Sequence, residues 1–573
     1  ITRGSRVISG QNFDTQREES GNLCAKSCWA KRQNCKGIRH LCQLTTSRII
    51  AAVGGFSKHF DSFYVDFTDL PTGYAPAPFP QLHSRRTMTE PRTHTQYTAR
   101  TLALEYGVDC TRYFEAIRHL SLPILLDSNG GKTRGRFDLL SAAPIAALFQ
   151  SNECHPRAIE REAEAGRPVK WHRCGENNFA DTLRETIQAH CSRPHAPSSI
   201  PFVSGAIGIF SYQYGEQVQR VQEHAAPEYQ WPAVLFGIYQ WAIVIDHQLR
   251  RATLVADPRL DETLWQEYCG LCSDITASCS ERASAFTLRQ AWSSNLDKNQ
   301  YTKAFDRVQS YIAAGDTYQV NLAQRFTSRY DGDPWQAYRT LRQRSPAPFS
   351  AYFECGRSAV GSLSPERFIE VAHRDVTTQP IKGTAHRSVD TQIDQRRKES
   401  LRNSDKDRAE NLMIVDLMRN DIGRFCETGT VRAPQLFDIE SYANVHHTVS
   451  TVTGRLRAAS DAIDLINGAL PGGSITGAPK IRSMQIIREL EPHNRSVYCG
   501  TLAWFDSRGY ADSSILIRTV LFEQKESVAN CEQYTGHAYC WGGGGIVSDS
   551  TAEQEYQESC YKVENLLSAL QNL

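Results

Sequence analysis

One extended segment of this chain has two faces that no simple core can satisfy together. Over residues 318–326, Tyr318, Val320, Leu322 and Phe326 fall on one side, and Gln319, Asn321, Ala323 and Arg325 on the other. Side chains alternate along a strand, so the first set asks for a core. The second set is too polar for one. It suits either a wet cavity or open solvent, the commoner fate of one strand's polar face. A helix is expected just before it, because Tyr301, Phe305, Val308 and Ile312 recur at helical spacing and Gly315 is placed to end the run.

Other segments fill in the organisation. Apolar runs at 122–126 and 234–245 read as strands in a first lobe at 93–290, and the pattern changes near Trp292 to give a second lobe at 291–573. Residues 397–418 read as one long helix with a stripe through Leu401, Leu412, Val415 and Met418. Pro479 suits the first turn of a helix running through Ile481, Met484 and Leu490. Ser550 followed by Glu553 reads as a capping box for a last helix whose buried stripe is Tyr556, Cys560, Val563, Leu567 and Leu570.

Composition narrows the function. The 64 basic and 63 acidic side chains nearly cancel, which argues against a general nucleic-acid or membrane-surface binder. No apolar stretch approaches the roughly 18 residues of a membrane span. Most of the 17 cysteines are scattered singly, as in a reducing cytoplasm. Cys269 and Cys272, with Cys279 nearby, lack an obvious fourth ligand at metal-site spacing.

Residues 1–92 look foreign to the remainder. Cys24, Cys28, Cys35 and Cys42 cluster in a basic segment, apolar periodicity is missing from 71–92, and the first methionine is Met88. We read this as an extension outside the fold, either disordered or the product of a gene start placed too early. A targeting peptide and a four-cysteine zinc site are the alternatives.

Two of the expected helices each carry an acidic pair at i, i+3: Asp407 with Glu410, and Glu555 with Glu558. Such pairs usually belong to solvated faces. Here they accompany the glycine run 542–545, and carboxylates from two helices could supply the protein's share of a hard cation's oxygen ligands, as Mg²⁺ requires. Gly477-Ala478-Pro479 opens a helix whose first N–H groups could meet an anion, and the glycine run leaves room for close backbone approach.

Several long strings carry a resemblance. They are Ser362-Leu363-Ser364-Pro365-Glu366-Arg367-Phe368, Gln379-Pro380-Ile381-Lys382-Gly383-Thr384 and Asp405-Lys406-Asp407-Arg408-Ala409-Glu410-Asn411-Leu412-Met413. Next come Asp416-Leu417-Met418-Arg419-Asn420-Asp421, His446-His447-Thr448-Val449-Ser450 and Pro471-Gly472-Gly473-Ser474-Ile475-Thr476-Gly477-Ala478-Pro479-Lys480, followed by the glycine run. In this order they resemble the chorismate-binding enzymes. The resemblance implies an α+β fold, a four-layer α/β/β/α sandwich of two orthogonally packed antiparallel sheets, as in anthranilate synthase component I. It implies that Glu410 and Glu558 hold Mg²⁺ against the ring carboxylate of chorismate, with Glu555 and Asp407 acting through water. Arg518 then matches the grip on the enolpyruvyl carboxylate, with Tyr498 beside it. Gly383, Thr384, Ser474, Gly477, Gly543, Gly545 and Lys562 match further substrate contacts. Glu366 matches the acid that protonates the departing ring hydroxyl, and His447 either a substrate neighbour or a packed, hydrogen-bonded histidine.

Most members of the family carry alanine where Lys382 stands. A lysine can form a covalent intermediate and an alanine cannot, so the resemblance implies addition of Lys382 at ring carbon two and then amination at carbon four. Relatives that add water at carbon two carry a lysine at the position of Gln319, which cannot act as that base. The expected product is 4-amino-4-deoxychorismate, which a separate lyase would take to 4-aminobenzoate for folate synthesis. No cysteine has the surroundings of an amidotransferase nucleophile, so a separate glutamine amidotransferase subunit is expected to supply ammonia. Leu126-Asp127-Ser128 and Pro346-Ala347-Pro348-Phe349-Ser350 match the walls of a tryptophan pocket, with Ser128, Pro348 and Phe349 in contact; occupancy by tryptophan is left open. The alternatives are anthranilate formation on the same fold and a non-catalytic chorismate- or tryptophan-binding regulatory protein.

Overall fold

Neighbouring positions on the same strands feed two different cores. Leu125, Leu140, Ile243, Ile245 and Leu254 enter one buried cluster, while Ile124, Leu139, Val244 and Val255 enter another. A sheet that is apolar on both faces must be covered on both, and this dictates a layered fold. The computed structural model describes residues 97–573 apart from 131–133, 151–168, 176–177, 222–228, 274–284, 443–444 and 525–534. The extension read at 1–92, with its four cysteines, lies outside the described residues, as does Cys279.

Within Pro91–Leu573 the described strands form two sheets, of thirteen and eleven strands. Helices Thr111–Ile117, Glu262–Ser273, Pro334–Arg344 and Ala552–Gln571 cover the outer face of the larger sheet. The other cluster joins strands of both sheets to helices Phe179–His190, Asp405–Gly423 and Ala462–Ala469. The order is helix, sheet, sheet, helix, as expected. Pairing between the described strands is antiparallel except at Ala146–Gln150 against Lys170–Arg173. Early and late parts of the chain share both sheets. Ile124–Asp127 pairs with Phe349–Cys355, and Gly205–Phe210 pairs with Thr501–Asp506.

Four local expectations change. The run 234–245 is two strands, Val234–Tyr239 and Trp241–Asp246, and they belong to different sheets. Both are largely apolar because both sheets bury both faces, so the single polar residue between them, Gln240, is a weak signal of the break. The helix expected over 397–418 is two, Thr391–Arg402 and Asp405–Gly423, because the Ser404 hydroxyl accepts from the Asp407 amide and caps a new start. Leu412 is exposed, and the buried face runs instead through Asn411, Ile414, Val415, Met418 and Ile422. The last helix, Ala552–Gln571, is capped by Thr551, while Ser550 donates to the Glu555 carboxylate at 2.6 Å. The expected helix before the two-faced strand is present at Lys298–Ala313, with a capping box from Asp297 and Gln300, and Gly315 follows at φ +79°.

One buried ion pair fastens the polar face of the Gln319–Asp331 strand. Arg495 is 1% exposed and bonds both oxygens of Glu491, at 2.6 and 2.9 Å. It also donates to the carbonyls of Asn321 (2.7 Å) and Ile475 (3.1 Å), while Glu491 accepts from the Ala323 amide at 2.8 Å. Removing the guanidinium strands a buried carboxylate. Arg495→Met is therefore expected to lower stability by about 3–5 kcal/mol in urea unfolding. A loss under about 1 kcal/mol, the range of an exposed pair, would contradict a stapling role.

Candidate active site

The strand Ile381–His386 slips register against Val445–Arg455 between Ile381 and Thr384. Gly383 takes φ +85° inside this irregularity, a conformation that favours glycine. A β-carbon there would also meet Leu401 at 3.0 Å and Asp407 at 3.2 Å, so glycine lets the strand lie against the Asp405–Gly423 helix. Lys382, one residue earlier, is half-buried. Burial pushes its amine below the usual lysine range, and the charge of Lys562 adds to the effect; Glu410, Glu366 and Glu558 oppose it. Acids from three separate elements thus converge on one amine.

Glu366 lies between the strands Ser358–Ser364 and Arg367–Ala372 and is buried. The Ser474 hydroxyl, from the turn Gly473–Ile475, donates to its Oε1 at 2.8 Å. Arg367 does not neutralise it, since Arg367 pairs with Asp512 (2.9 Å) and Glu370 (3.1 Å). Burial raises the Glu366 carboxyl above its ordinary range; the Ser474 bond and the charges of Lys382, Arg134 and Lys562 offset only part of this. The site therefore favours a protonated acid close to an amine pushed toward neutrality.

The floor is a strand without side chains. Gly542–Gly545 of the Thr535–Ile546 strand stand opposite residues 321–324. A β-carbon on Gly542 would lie 2.0 Å from the Ser559 carbonyl oxygen, and one on Gly544 would lie 2.8 Å from Glu555 Oε2. Glycine thus lets the Ala552–Gln571 helix settle on the strand. Lys562 donates to the Gly543 carbonyl at 3.0 Å and pairs with Glu558 at 2.6 Å. Burial would raise Glu558, but Lys562 prevails and holds it below the usual carboxylate range. Burial raises Glu555 and Glu410, and the charge of Glu558 raises both further.

The two-faced strand borders this floor. Gln319 is 1% exposed, its amide lies where a β-carbon on Gly545 would stand, and neither amide atom has a partner. Asn321 Oδ1 and Glu555 Oε2 are likewise buried without partners. Of the two sequence alternatives for this face, enclosure is the one observed. Tyr318, by contrast, is 71% exposed just before the strand and does not join the core.

The remaining expected residues divide. His447 is buried, and its Nδ1 shares a 2.9 Å hydrogen bond with Thr384 Oγ1. Burial, helped by Arg518, pushes this imidazole down to about 4, so it is neutral near pH 7. Arg518 takes φ +55°, and burial lowers its guanidinium against the charges of Tyr498, Glu558 and Glu366. Tyr498 stacks parallel to Trp541 with ring centres 5.9 Å apart. Gly477 has a backbone role. It pairs with Val320, and a β-carbon on it would strike the Gln319 carbonyl at 2.1 Å.

The acids are not drawn into a tight cage. Among the described residues, the group of three ligand-type side chains with donor atoms mutually within 4.8 Å is Cys110, Asp127 and Asp138. That group is already engaged: Arg342 holds Asp127 at 2.6 Å, and His247 and Ser128 hold Asp138 at 2.8 and 2.6 Å. Asp407, Glu410, Glu555 and Glu558 form a looser set. Its donors are all oxygen, and the unpartnered Glu555 oxygen fits a hard cation.

Ser128, Pro348 and Phe349 line a separate cavity of about 380 Å³. Its walls include Asp127, Arg134, Arg367, Glu370 and Asp512, so it is less apolar than the sequence strings suggest. Arg134 escaped the sequence reading. Its side chain is 5% exposed and bonds Glu440 at 2.7 Å, and its charge reaches both Glu366 and His447. An arginine in a short glycine-containing loop gives no sequence signal for such a position.

The family model for the chorismate binding enzyme matches residues 144–568. The chain is 42% identical over 466 residues to an aminodeoxychorismate synthase component 1 from Klebsiella aerogenes, covering 80% of this chain and 96% of the relative. It is 40% identical over 462 residues to the protein of that name from Salmonella typhimurium, covering 80% and 95%. Among solved structures, the fold is similar to anthranilate synthase component I from Streptococcus pneumoniae TIGR4, with a TM-score of 0.61 and 28% identity, covering 75% of this chain and 92% of that one.

A depressed amine is a reactive one. Lys382 is expected to acylate several-fold faster at neutral pH than exposed lysines such as Lys406, read by peptide mass spectrometry after brief labelling. A rate at or below that of exposed lysines would contradict the lowered proton affinity.

Proposed function

The chain belongs to the chorismate-binding enzyme family, and we propose that it makes 4-amino-4-deoxychorismate from chorismate and ammonia, the activity its relatives are named for. The observation that carries this reading is the pairing of Lys382, an amine pushed toward neutrality, with Glu366, a buried acid held by Ser474. The neutral Lys382 amine bonds to ring carbon two, both ring double bonds shift, and the carbon-four hydroxyl leaves as water with the Glu366 proton. Ammonia then bonds to carbon four, the double bonds shift back, and the lysine departs as a free amine. The proton released by the new ammonium returns to Glu366. Gln319 has no basic nitrogen and cannot activate water for the competing addition.

Arg518 and Tyr498 serve the enolpyruvyl carboxylate, for which a guanidinium offers two parallel donors. Ser474, Gly383, Thr384, Lys562 and the backbone of Gly543 and Gly545 frame the rest of the substrate, and Gly477 sets the strand that carries Gln319. Neutral His447 is a hydrogen-bonding neighbour. Glu410 and Glu558 would hold a Mg²⁺ ion, with Asp407 and Glu555 behind them. The ion would supply positive charge facing the ring carboxylate.

Ammonia comes from a separate glutamine amidotransferase subunit, consistent with the words "component 1" in the relatives' names. The product passes to a lyase on the way to 4-aminobenzoate and folate. The side cavity lined by Ser128, Pro348 and Phe349 is the candidate tryptophan site. A cytoplasmic location agrees with the ten free thiols among the described residues. No described helix is long and apolar enough to cross a membrane.

Four outcomes test this reading. With chorismate, ammonium and Mg²⁺, chromatography should show 4-amino-4-deoxychorismate, and Lys382→Ala should slow its formation by at least about 100-fold. Anthranilate appearing without an added lyase, or an unchanged rate in the variant, would contradict the proposal. The rate should also fall toward low pH, where Lys382 is protonated, and toward high pH, where Glu366 ionises. The Ser474 bond stabilises the Glu366 carboxylate, so Ser474→Ala should raise the proton affinity of Glu366 and move the alkaline limb to higher pH. A limb that moves down or stays fixed would remove Glu366 as the acid.

A further inference from the structure

One string of the family resemblance takes little part in the cleft. Asp416, Leu417, Arg419 and Asn420 line a surface groove of about 630 Å³ whose far wall is Tyr318, Ala478 and Pro479. That wall is thin. The Tyr318 amide donates to the Ala478 carbonyl at 2.7 Å, and Gln319 is the strand partner of Ala478. The Gln319 amide is enclosed on the cleft side, whereas Tyr318, its neighbour, is 71% exposed on the groove side. One strand therefore separates the groove from the reaction cleft.

The rim offers what a protein interface uses. Tyr318 lines the groove, and outside its lining two further exposed apolar residues lie close in sequence: Ile481, two past Pro479, is 48% exposed, and Leu412, one turn before Asp416, is 53% exposed. Among the described residues Arg419 and Asp416 pair with each other, exposed and at 3.2 Å, so both present charge to a partner at an aromatic and arginine centre. Ammonia made elsewhere must reach ring carbon four without being lost to protonation in bulk water, so its source has to sit against the cleft wall.

We propose that this groove, centred on Tyr318 and Arg419, is the docking surface for the ammonia-supplying glutamine amidotransferase subunit. The inference rests on the partner reading given above. The test compares two nitrogen sources in the full chain: free ammonium, and glutamine together with the purified amidotransferase subunit from the same source. Tyr318→Glu and Arg419→Glu, both at exposed positions, should leave ammonium-dependent turnover within about two-fold. They should lower glutamine-dependent turnover by about ten-fold or more and abolish co-elution of the two subunits in gel filtration. Glutamine-dependent turnover and co-elution that survive both substitutions would overturn the docking surface while leaving the partner intact. A wild-type chain that uses ammonium but neither binds the subunit nor uses glutamine would overturn the partner reading, and the docking surface with it.

Discussion

Close contact between the Ala552–Gln571 helix and the glycines at 542–545 is the constraint on which the site depends. A β-carbon at Gly542 would fall 2.0 Å from the Ser559 carbonyl, closer than atoms can approach, so a side chain there would lift the helix. Lifting it would carry away Glu555, Glu558 and Lys562 together. The same contact brings those charges to the polar face of the Gln319–Asp331 strand, where Gln319 and Asn321 keep unpartnered polar atoms. Buried polar atoms without partners are costly in a folded protein. A site for a polar substrate is a physical reason to keep them.

Burial then does the chemical tuning. It raises Glu366 and lowers Lys382, so the acid is driven to hold its proton and the amine to release one. Opposite charges within the cleft moderate both shifts. The cluster Lys562 and Glu558 keeps one carboxylate ionised in the same space. Glu366 is buried, Lys382 half-buried and Glu558 more exposed, and the three shift in different directions because their burial and their neighbours differ.

The gathering of reactive side chains around Lys382 was easier to read from the sequence than the local structure. Lys382, Glu366 and the two acidic pairs were legible because reactive residue types stand in long specific strings. The enclosure of Gln319 was half legible: alternation exposed the polar face, but only pairing with a strand that turns out to be glycine-lined decides between cavity and solvent. The break between Tyr239 and Trp241 was faint, since the single polar residue Gln240 separates two strands that are apolar up to Asp246. Ser404 and Ser550 illustrate a different limit. Each is a serine before an acidic helix; the first caps its helix and the second holds Glu555, and local spacing does not distinguish them. Arg134 reaches Glu440 306 residues away, and Arg495, besides its i, i+4 pair with Glu491, donates to Asn321 174 residues away; no local pattern encodes either long reach.

The proposed reaction turns on a bond between the Lys382 nitrogen and the substrate ring. It is tested most directly by mixing enzyme with chorismate and Mg²⁺ in the absence of ammonia, quenching, and weighing the peptide that contains Lys382. A covalent intermediate gives a peptide heavier by chorismate less one water, and that species is lost when ammonium is added before the quench. An unmodified Lys382 peptide in an enzyme that turns over normally once ammonium is present would contradict it.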